Sequence, residues 1–213
     1  MERLHDMLVN YNRTIPLKMR FSWSKQYLEP EFPLYWRIVF ATLSKYDRSA
    51  RVVEVGAGQG DVTSILCYLG FSSIKSYERI PENAEIAKQK ISVLFDRHDV
   101  VLQADFPIGN VSCDILLMVN CAYADGCTTK NEYLNYLRYF WEEAGRPKHT
   151  IMEVIDSSYT IDDEDFPKCI RLSQEDIRSK FPESTISSFE TYRYPTNLSL
   201  IHISEPTRLD VIS

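Results

Sequence analysis

The sequence has no surplus of positive charge and no long apolar run. Its 24 Lys and Arg residues are outnumbered by 30 Asp and Glu residues, which gives a formal net charge of −6. Binding along a nucleic-acid backbone requires clustered Lys and Arg, so this balance argues against a general nucleic-acid binder. The sequence has no run of about 18 apolar residues, so no membrane span is predicted. Residues 1–6 are polar and lack a secretory core, and a cytoplasmic protein is therefore expected.

The chain has few cysteines, and their spacing indicates neither a metal site nor a disulfide framework. The five are Cys67, Cys113, Cys121, Cys127 and Cys169, and none stands in a Cys-x-x-Cys spacing. An odd number without a framework is typical of reduced intracellular thiols. Zinc requires about four clustered ligands and Mg²⁺ a set of oxygen ligands, and neither arrangement stands out. No metal site is predicted.

The composition predicts a globular protein with a packed core. Apolar residues make up 44% of the chain and charged residues 25%, an ordinary balance for a protein with a packed core. The length of 213 residues suits one domain with a helical N-terminal extension. We predict the extension over residues 1–48, as a lid over a site or as core packing, and the main domain over residues 49–197.

Strands and helices are predicted to alternate along the main domain. Strands are predicted at residues 51–55, 73–77, 99–104, 114–119, 149–155 and 186–194, and helices at 34–46, 61–69, 81–95, 130–144 and 173–181. This alternation is typical of a doubly wound, mostly parallel sheet with right-handed crossovers. In the helix over residues 34–46, the side chains of Leu34, Ile38, Phe40, Ala41 and Leu43 are expected to face inward.

A glycine turn follows the first predicted strand. Gly56, Gly58 and Gly60 stand between this β-branched strand and a helix. The dinucleotide fingerprint Gly-x-Gly-x-x-Gly would require a glycine at position 61, which is Asp61. An aspartate at the start of the helix would repel a pyrophosphate, and the carboxylate of Glu54 suits an ammonium or sulfonium group. The turn therefore favours a cationic ligand without phosphates.

A second carboxylate follows the second strand. Glu78 lies about 20 residues beyond the glycines, where an acid at a strand end can accept hydrogen bonds from both hydroxyls of a ribose. A third acid, Asp105, follows the third strand. Ligands of open α/β sheets bind at the carboxyl ends of the strands, so these acids are expected at one edge of the sheet.

With these residues the sequence resembles the class I S-adenosylmethionine-dependent methyltransferases. Their first motif, acidic-x-Gly-x-Gly-x-Gly, is matched from Glu54 to Gly60. The resemblance covers residues 34–195 and implies a Rossmann-like fold of the class I methyltransferase type with S-adenosylmethionine as cofactor. It implies that the methionine part of the cofactor lies over Gly56, Ala57, Gly58 and Gly60.

The resemblance also implies roles for residues at the next strand ends. Glu78, with its neighbour Arg79, would bind the ribose, and Asp105 with Phe106 would bind the adenine. Asn120, at the end of the fourth strand, would face the methyl group and the cofactor. The residues after Asn120 lack the prolines of the amino-group nucleic-acid methyltransferases, which argues against DNA as the acceptor.

Asn120, Tyr123 and Asp125 are the predicted catalytic residues. They could orient an acceptor or remove its proton, which is what methyl transfer to a hydroxyl or amine requires. Glu153 and Asp156, near the end of the fifth strand, are further candidate bases. The acceptor is expected to be a small molecule methylated on oxygen or nitrogen, and the oligomeric state is left open. Two alternatives remain: an NAD- or FAD-dependent oxidoreductase, and a non-catalytic nucleotide-binding module of the same fold.

The last residues have a different character. Residues 198–208 resemble the translation of a transposase adapter used in DNA sequencing libraries, so residues 198–213 are predicted to be a non-native tail. The family's last antiparallel strand would then be missing, and the strand at residues 186–194 would be poorly paired. The alternative is an ordinary C-terminal strand over residues 198–203.

Overall fold

The computed structural model describes residues 1–19, 32–108, 111–119, 121, 126–162, 166–190 and 198–204; for residues 190 and 198–204 it describes the backbone alone. The chain divides into two compact units, Met1–Phe106 and Pro107–Ser213. None of the helices among these described residues is long and apolar enough to cross a membrane.

Among its described residues, the first unit contains three parallel strands, four α-helices and one short 3₁₀ helix. Its elements are α1 (Glu2–Thr14), a short 3₁₀ helix (Leu17–Met19), α2 (Leu34–Leu43), β1 (Arg51–Val55), α3 (Asp61–Leu69), β2 (Ser73–Glu78), α4 (Pro81–Phe95) and β3 (Val101–Gln103). β2 lies between β1 and β3, with Val55 opposite Tyr77 and Glu78 opposite Gln103. The carboxyl ends of these strands therefore meet at one edge, as predicted from the alternation of strands and helices.

The aromatic residues before and within α2 decide which of its faces is buried. Trp36 is fully buried and stacks on Phe32, with ring centroids 3.8 Å apart. The buried side chains of α2 are those of Tyr35, Trp36, Val39, Thr42 and Leu43. The predicted inward face was wrong for Leu34, which is 45% exposed, and for Ala41, because burying the large indole rotates the helix about its axis.

The second unit is built around the buried strand β5. Its elements are β4 (Ile115–Met118), α5 (Lys130–Glu143), β5 (His149–Asp156), a 3₁₀ helix (Lys168–Ile170), β6 (Arg171–Leu172), α6 (Gln174–Lys180), β7 (Thr185–Glu190) and β8 (Leu198–Ser204). β5 pairs in parallel with β4 and β6, and β8 lies antiparallel between β5 and β7. Capping boxes at Thr129 with Glu132 and at Ser173 with Asp176 begin α5 and α6.

Strand β8 corrects one expectation from the sequence. The strand β7 was expected to be poorly paired, yet it pairs with β8 from Thr185 opposite Ser204 to Glu190 opposite Ser199. The observed strand corresponds to the alternative interpretation of residues 198–203. Forming a strand requires only an extended, alternating sequence, so the non-native origin of residues 198–213 stays a prediction.

Removing β8 is expected to destabilise the protein. A chain that ends at residue 197 loses the partner of β7 and exposes an edge of β5, and cross-strand pairs contribute roughly 0.2–1 kcal/mol each. We expect the free energy of unfolding, measured by urea denaturation, to fall by about 3 kcal/mol. A chain that ends at residue 204 is the control and should keep the full stability. Equal stability of all three chains would contradict the structural contribution of β8.

Close packing between α3 and α4 explains one of the turn glycines. Gly60 has φ +82°, and a Cβ built there would lie 3.1 Å from the Cβ of Ala87. Gly70, at the end of α3, has the similar φ of +84°, but a Cβ there would meet nothing within 4 Å. Gly60 therefore serves both the backbone conformation and the approach of the two helices.

The two glycines allow a matched measurement. Gly70→Ala should cost about 1 kcal/mol from left-handed backbone strain alone. Gly60→Ala should cost about 3 kcal/mol, because the contact with Ala87 adds to the same strain. Both values can be measured by chemical denaturation, and equal losses would show that the approach of α3 to α4 does not depend on Gly60.

Candidate cofactor site

The glycine turn begins with two hydrogen bonds to the neighbouring strand. The backbone N–H groups of Gly56 and Ala57 both donate to the carbonyl oxygen of Tyr77, each at 2.9 Å. Gly58 has φ +55°, and a Cβ added there would meet nothing within 4 Å. The left-handed conformation favours glycine, and the space around Gly58 leaves its backbone open to approach by a ligand.

Glu78 connects this turn to the end of β2. Its Oε2 accepts a hydrogen bond of 2.7 Å from the N–H of Gly58, and its Oε1 accepts one of 2.8 Å from the N–H of Ile80. The residue is only 6% exposed. A carboxylate has about four acceptor positions, so each oxygen keeps capacity for a further donor. The structure thus brings together Gly58 and Glu78, two residues that the sequence singled out separately.

Glu54 is turned toward hydroxyl groups of the first unit. Its Oε2 accepts hydrogen bonds from Thr63 Oγ1 at 2.6 Å and from Ser76 Oγ at 2.7 Å, and the residue is 3% exposed. These contacts join β1 to α3 and β2. The predicted contact of Glu54 with a cationic group stays a prediction.

Burial changes the acidity of Glu54. It raises the pKa of this carboxyl to about 7; the hydroxyls of Thr63 and Ser76 lower it, and the charges of Asp61 and Glu78 raise it further. Near neutral pH the side chain is therefore divided between its protonated and ionised forms.

Asp61 is not a free charge at the start of α3. Its Oδ1 accepts a hydrogen bond of 2.7 Å from Lys90 Nζ and one of 3.3 Å from Asn12 Nδ2. Lys90 is fully buried, and its pKa is lowered by burial against the raising effect of Asp61. The expected repulsion of a pyrophosphate by Asp61 is therefore weaker than its charge alone suggested, because Lys90 balances it.

The residues predicted at the adenine end differ in exposure. Asp105 and Arg79 are exposed, whereas Phe106 is 8% exposed and packs edge-on against Tyr77 at 5.2 Å between centroids. The N–H of Ala104 donates to the carbonyl oxygen of Glu78 at 3.0 Å, which places the segment after β3 beside the end of β2. The predicted ribose and adenine contacts of these residues stay predictions.

The predicted catalytic residues Asn120, Tyr123 and Asp125 lie outside the described residues. In the second unit, Met118 at the end of β4 is paired with Met152, and the next residue of β5 is the buried Glu153. Asp156 ends β5, and its Oδ1 accepts a hydrogen bond of 2.8 Å from the N–H of Ser158. Within the described ranges, no group of three or more His, Cys, Asp or Glu side chains could hold a metal ion.

Several residues that build the site were missed in the sequence. They are Asn12, Gln59, Thr63, Ser76 and Lys90, all of them polar and all buried. Thr63 and Ser76 lie on the helix and strand that flank Glu54, so their polarity inside apolar elements was a usable signal. Asn12 and Lys90 are 49 and 29 residues from Asp61 in the chain, and no local pattern could have paired them.

Solved structures resemble this chain over most of its length. Magnesium protoporphyrin IX methyltransferase (ChlM) from Synechocystis PCC 6803, with bound SAM, is 11% identical, with a TM-score of 0.64 and coverage of 95% of this chain and 97% of that one. The methyltransferase domain of bacterial CtHen1-C is 15% identical, with a TM-score of 0.60 and coverage of 81% and 97%. The fold is that of the SAM-dependent methyltransferases.

A further structure agrees with this fold. An O-methyltransferase from Bacillus cereus in complex with SAH is 16% identical, with a TM-score of 0.55 and coverage of 96% of this chain and 91% of that one. At such identities the likeness concerns the fold alone. No model of a known protein family matches the chain, and no curated protein matches it.

The raised pKa of Glu54 predicts a pH-dependent stability. The folded state keeps a proton on Glu54 between its ordinary pKa of 4.5 and about 7, whereas the unfolded chain releases it. Stability from this group is therefore present at low pH and lost as the pH rises through that window. Between pH 5 and 8, wild type should lose about 3 kcal/mol relative to Glu54→Gln in urea denaturation.

Glu132→Gln is the control. The pKa of Glu132 is lowered by the N–H and hydroxyl groups of Thr128 and the N–H group of Thr129, so this carboxyl titrates below pH 5 in both states. Its variant should differ from wild type by a constant amount between pH 5 and 8. A constant difference for Glu54→Gln as well would contradict a raised pKa at that position.

Proposed function

We propose that the protein is an S-adenosylmethionine-dependent methyltransferase that methylates an oxygen or nitrogen atom of a small-molecule acceptor. The observation that carries this proposal is the carboxylate of Glu78, held between the N–H groups of Gly58 and Ile80 beside the open backbone of Gly58. Support comes from the fold and from the bound SAM and SAH in structures that share it.

The fixed carboxylate of Glu78 suits the hydroxyls of a ribose. Each oxygen is oriented by one backbone amide and keeps acceptor positions for a hydroxyl donor. Hydrogen bonds to an ionised acceptor are stronger than neutral ones, and a pre-positioned acceptor loses little entropy on binding. A phosphate at the same place would bring a second anion against a carboxylate and would be repelled.

The chain offers residues for each part of the cofactor. The backbone of Gly56, Ala57, Gly58 and Gly60 would hold the methionine part. Glu78 and Arg79 would hold the ribose, Asp105 and Phe106 would hold the adenine, and Ile80, which is 44% exposed, would add an apolar contact. Once bound, S-adenosylmethionine supplies a methyl group on a positively charged sulfur.

The protein's own task is to align the acceptor and control its proton. In this proposal Asn120, which also contacts the cofactor, orients the acceptor together with Tyr123, and Asp125 removes a proton where the acceptor is a hydroxyl. Glu153 is a second candidate base because it is buried beside the end of β4. ChlM is by its name a methyltransferase of a small molecule, which supports the proposed class of acceptor. We also propose that the enzyme is cytoplasmic.

An oxidoreductase is not favoured. The position of the third fingerprint glycine is taken by Asp61, which is committed to Lys90 and Asn12. Since Lys90 balances the charge of Asp61, the missing glycine at position 61, rather than repulsion of a pyrophosphate, disfavours a dinucleotide.

Cofactor binding can be tested with S-adenosylhomocysteine, the demethylated product. We expect calorimetry to show binding by wild type, and we expect Glu78→Gln to raise the dissociation constant roughly 10- to 100-fold because charge-assisted hydrogen bonds are lost. Glu85→Gln is the control, because Glu85 is exposed on α4 and contacts Gln89. Absence of binding by wild type, with binding of NAD instead, would overturn the proposal.

Turnover separates an enzyme from a binding module of the same fold. Transfer of a radiolabelled methyl group from the cofactor into the small-molecule fraction of a cell extract should be seen with wild type and lost in Glu78→Gln at limiting cofactor. Cofactor binding without any transfer would support the non-catalytic alternative.

A further inference from the structure

The glycine turn contacts the N-terminal segment through a side chain. Gln59 stands between Gly58 and Gly60 and is 5% exposed. Its Nε2 donates a hydrogen bond of 2.6 Å to the carbonyl oxygen of Met19, the last residue of the 3₁₀ helix after α1. This partly buried hydrogen bond fixes both the glutamine and the backbone that it reaches.

The residue after Gly60 makes the second connection. Asp61 accepts a hydrogen bond from Asn12, which is 4% exposed and lies in the last turns of α1. The same carboxylate oxygen accepts a hydrogen bond from the buried Lys90, so the connection belongs to a partly buried charged group. Lys90 Nζ also lies 5.8 Å from the centre of the Tyr11 ring of α1.

Residues 58–61 thus contact both the proposed ligand site and the N-terminal segment. The backbone of Gly58 is open and donates a hydrogen bond to Glu78. The side chain of Gln59 contacts Met19, and that of Asp61 contacts Asn12. A change in the backbone of the turn therefore has to move both sets of contacts, because interiors are close-packed and few alternative arrangements fit.

We propose that Gln59 and Asp61 are positioning residues that link the docking of residues 1–19 to cofactor binding. This inference rests on the cofactor site of the proposed function. Linkage is reciprocal, so a cofactor that stabilises the turn also stabilises the docked segment, and the docked segment raises cofactor affinity by the same factor.

Cleavage by trypsin after Lys18 measures whether the N-terminal segment, residues 1–19, is docked. Lys18 is exposed and lies one residue before the carbonyl that Gln59 holds, so trypsin can cleave the bond between Lys18 and Met19 when the segment undocks. We expect saturating S-adenosylhomocysteine to slow cleavage at this bond in the full chain several-fold, measured by mass spectrometry of the released peptide. If Gln59 had a merely structural role, the ligand would slow cleavage of Gln59→Ala by the same factor as it slows cleavage of wild type.

A pair of glutamine variants tests the connection itself. Gln59→Ala should raise the dissociation constant of S-adenosylhomocysteine roughly fivefold, and the ligand should no longer protect the bond after Lys18. Gln89→Ala is the matched control, since Gln89 is exposed on α4 and donates a local hydrogen bond to Glu85, and it should behave as wild type.

The outcomes distinguish this inference from the function on which it rests. If wild type does not bind S-adenosylhomocysteine, both fail. If wild type binds it but is cleaved after Lys18 at the same rate with and without ligand, the linkage is overturned while the cofactor site stands. Unchanged affinity in Gln59→Ala also overturns the linkage, and if that variant does not fold, the wild-type cleavage rates decide alone.

Discussion

The site depends on the pair of hydrogen bonds that the Glu78 carboxylate accepts from Gly58 and Ile80. The parallel register of β1 and β2 places Val55 opposite Tyr77, so the turn after β1 starts beside the residue before Glu78. The turn can meet that carboxylate because Gly58 adopts a left-handed conformation that side chains disfavour. The strand register and the left-handed conformation of Gly58 thus together place the turn against the carboxylate of Glu78.

The three carboxylates around the turn are satisfied in three different ways. Glu54 is held by hydroxyls and has its pKa raised by burial to about 7, and Asp61 is balanced by the buried Lys90. Glu78 is held by backbone amides, which orient it without cancelling its charge. Among the three, Glu78 is therefore the group best suited to contact a ligand with hydroxyl donors, and the other two stabilise the frame around it.

The sequence was most informative where the signal is local. The helices at Asp61–Leu69 and Pro81–Phe95 begin and end as predicted, because apolar periodicity and the flanking Gly60, Gly70 and Pro81 are read over a few residues. The buried face of α2 was predicted correctly for Leu43 but wrongly for Leu34 and Ala41, because stacking on Phe32 depends on packing outside the helix. Strand β8 was discounted because of its resemblance to an adapter, although its alternation suits a strand.

The charges at the turn show why the site could be located but not fully interpreted from the sequence. The presence of Asp61 suggested a repulsive group, and only the tertiary structure shows that Lys90 and Asn12 engage it. A charged side chain repels or attracts a ligand less strongly when a neighbouring group of opposite charge compensates it. The preference for a ligand without phosphates therefore rests more on the glycine spacing, in which Asp61 stands in place of the third fingerprint glycine, than on the charge of that aspartate.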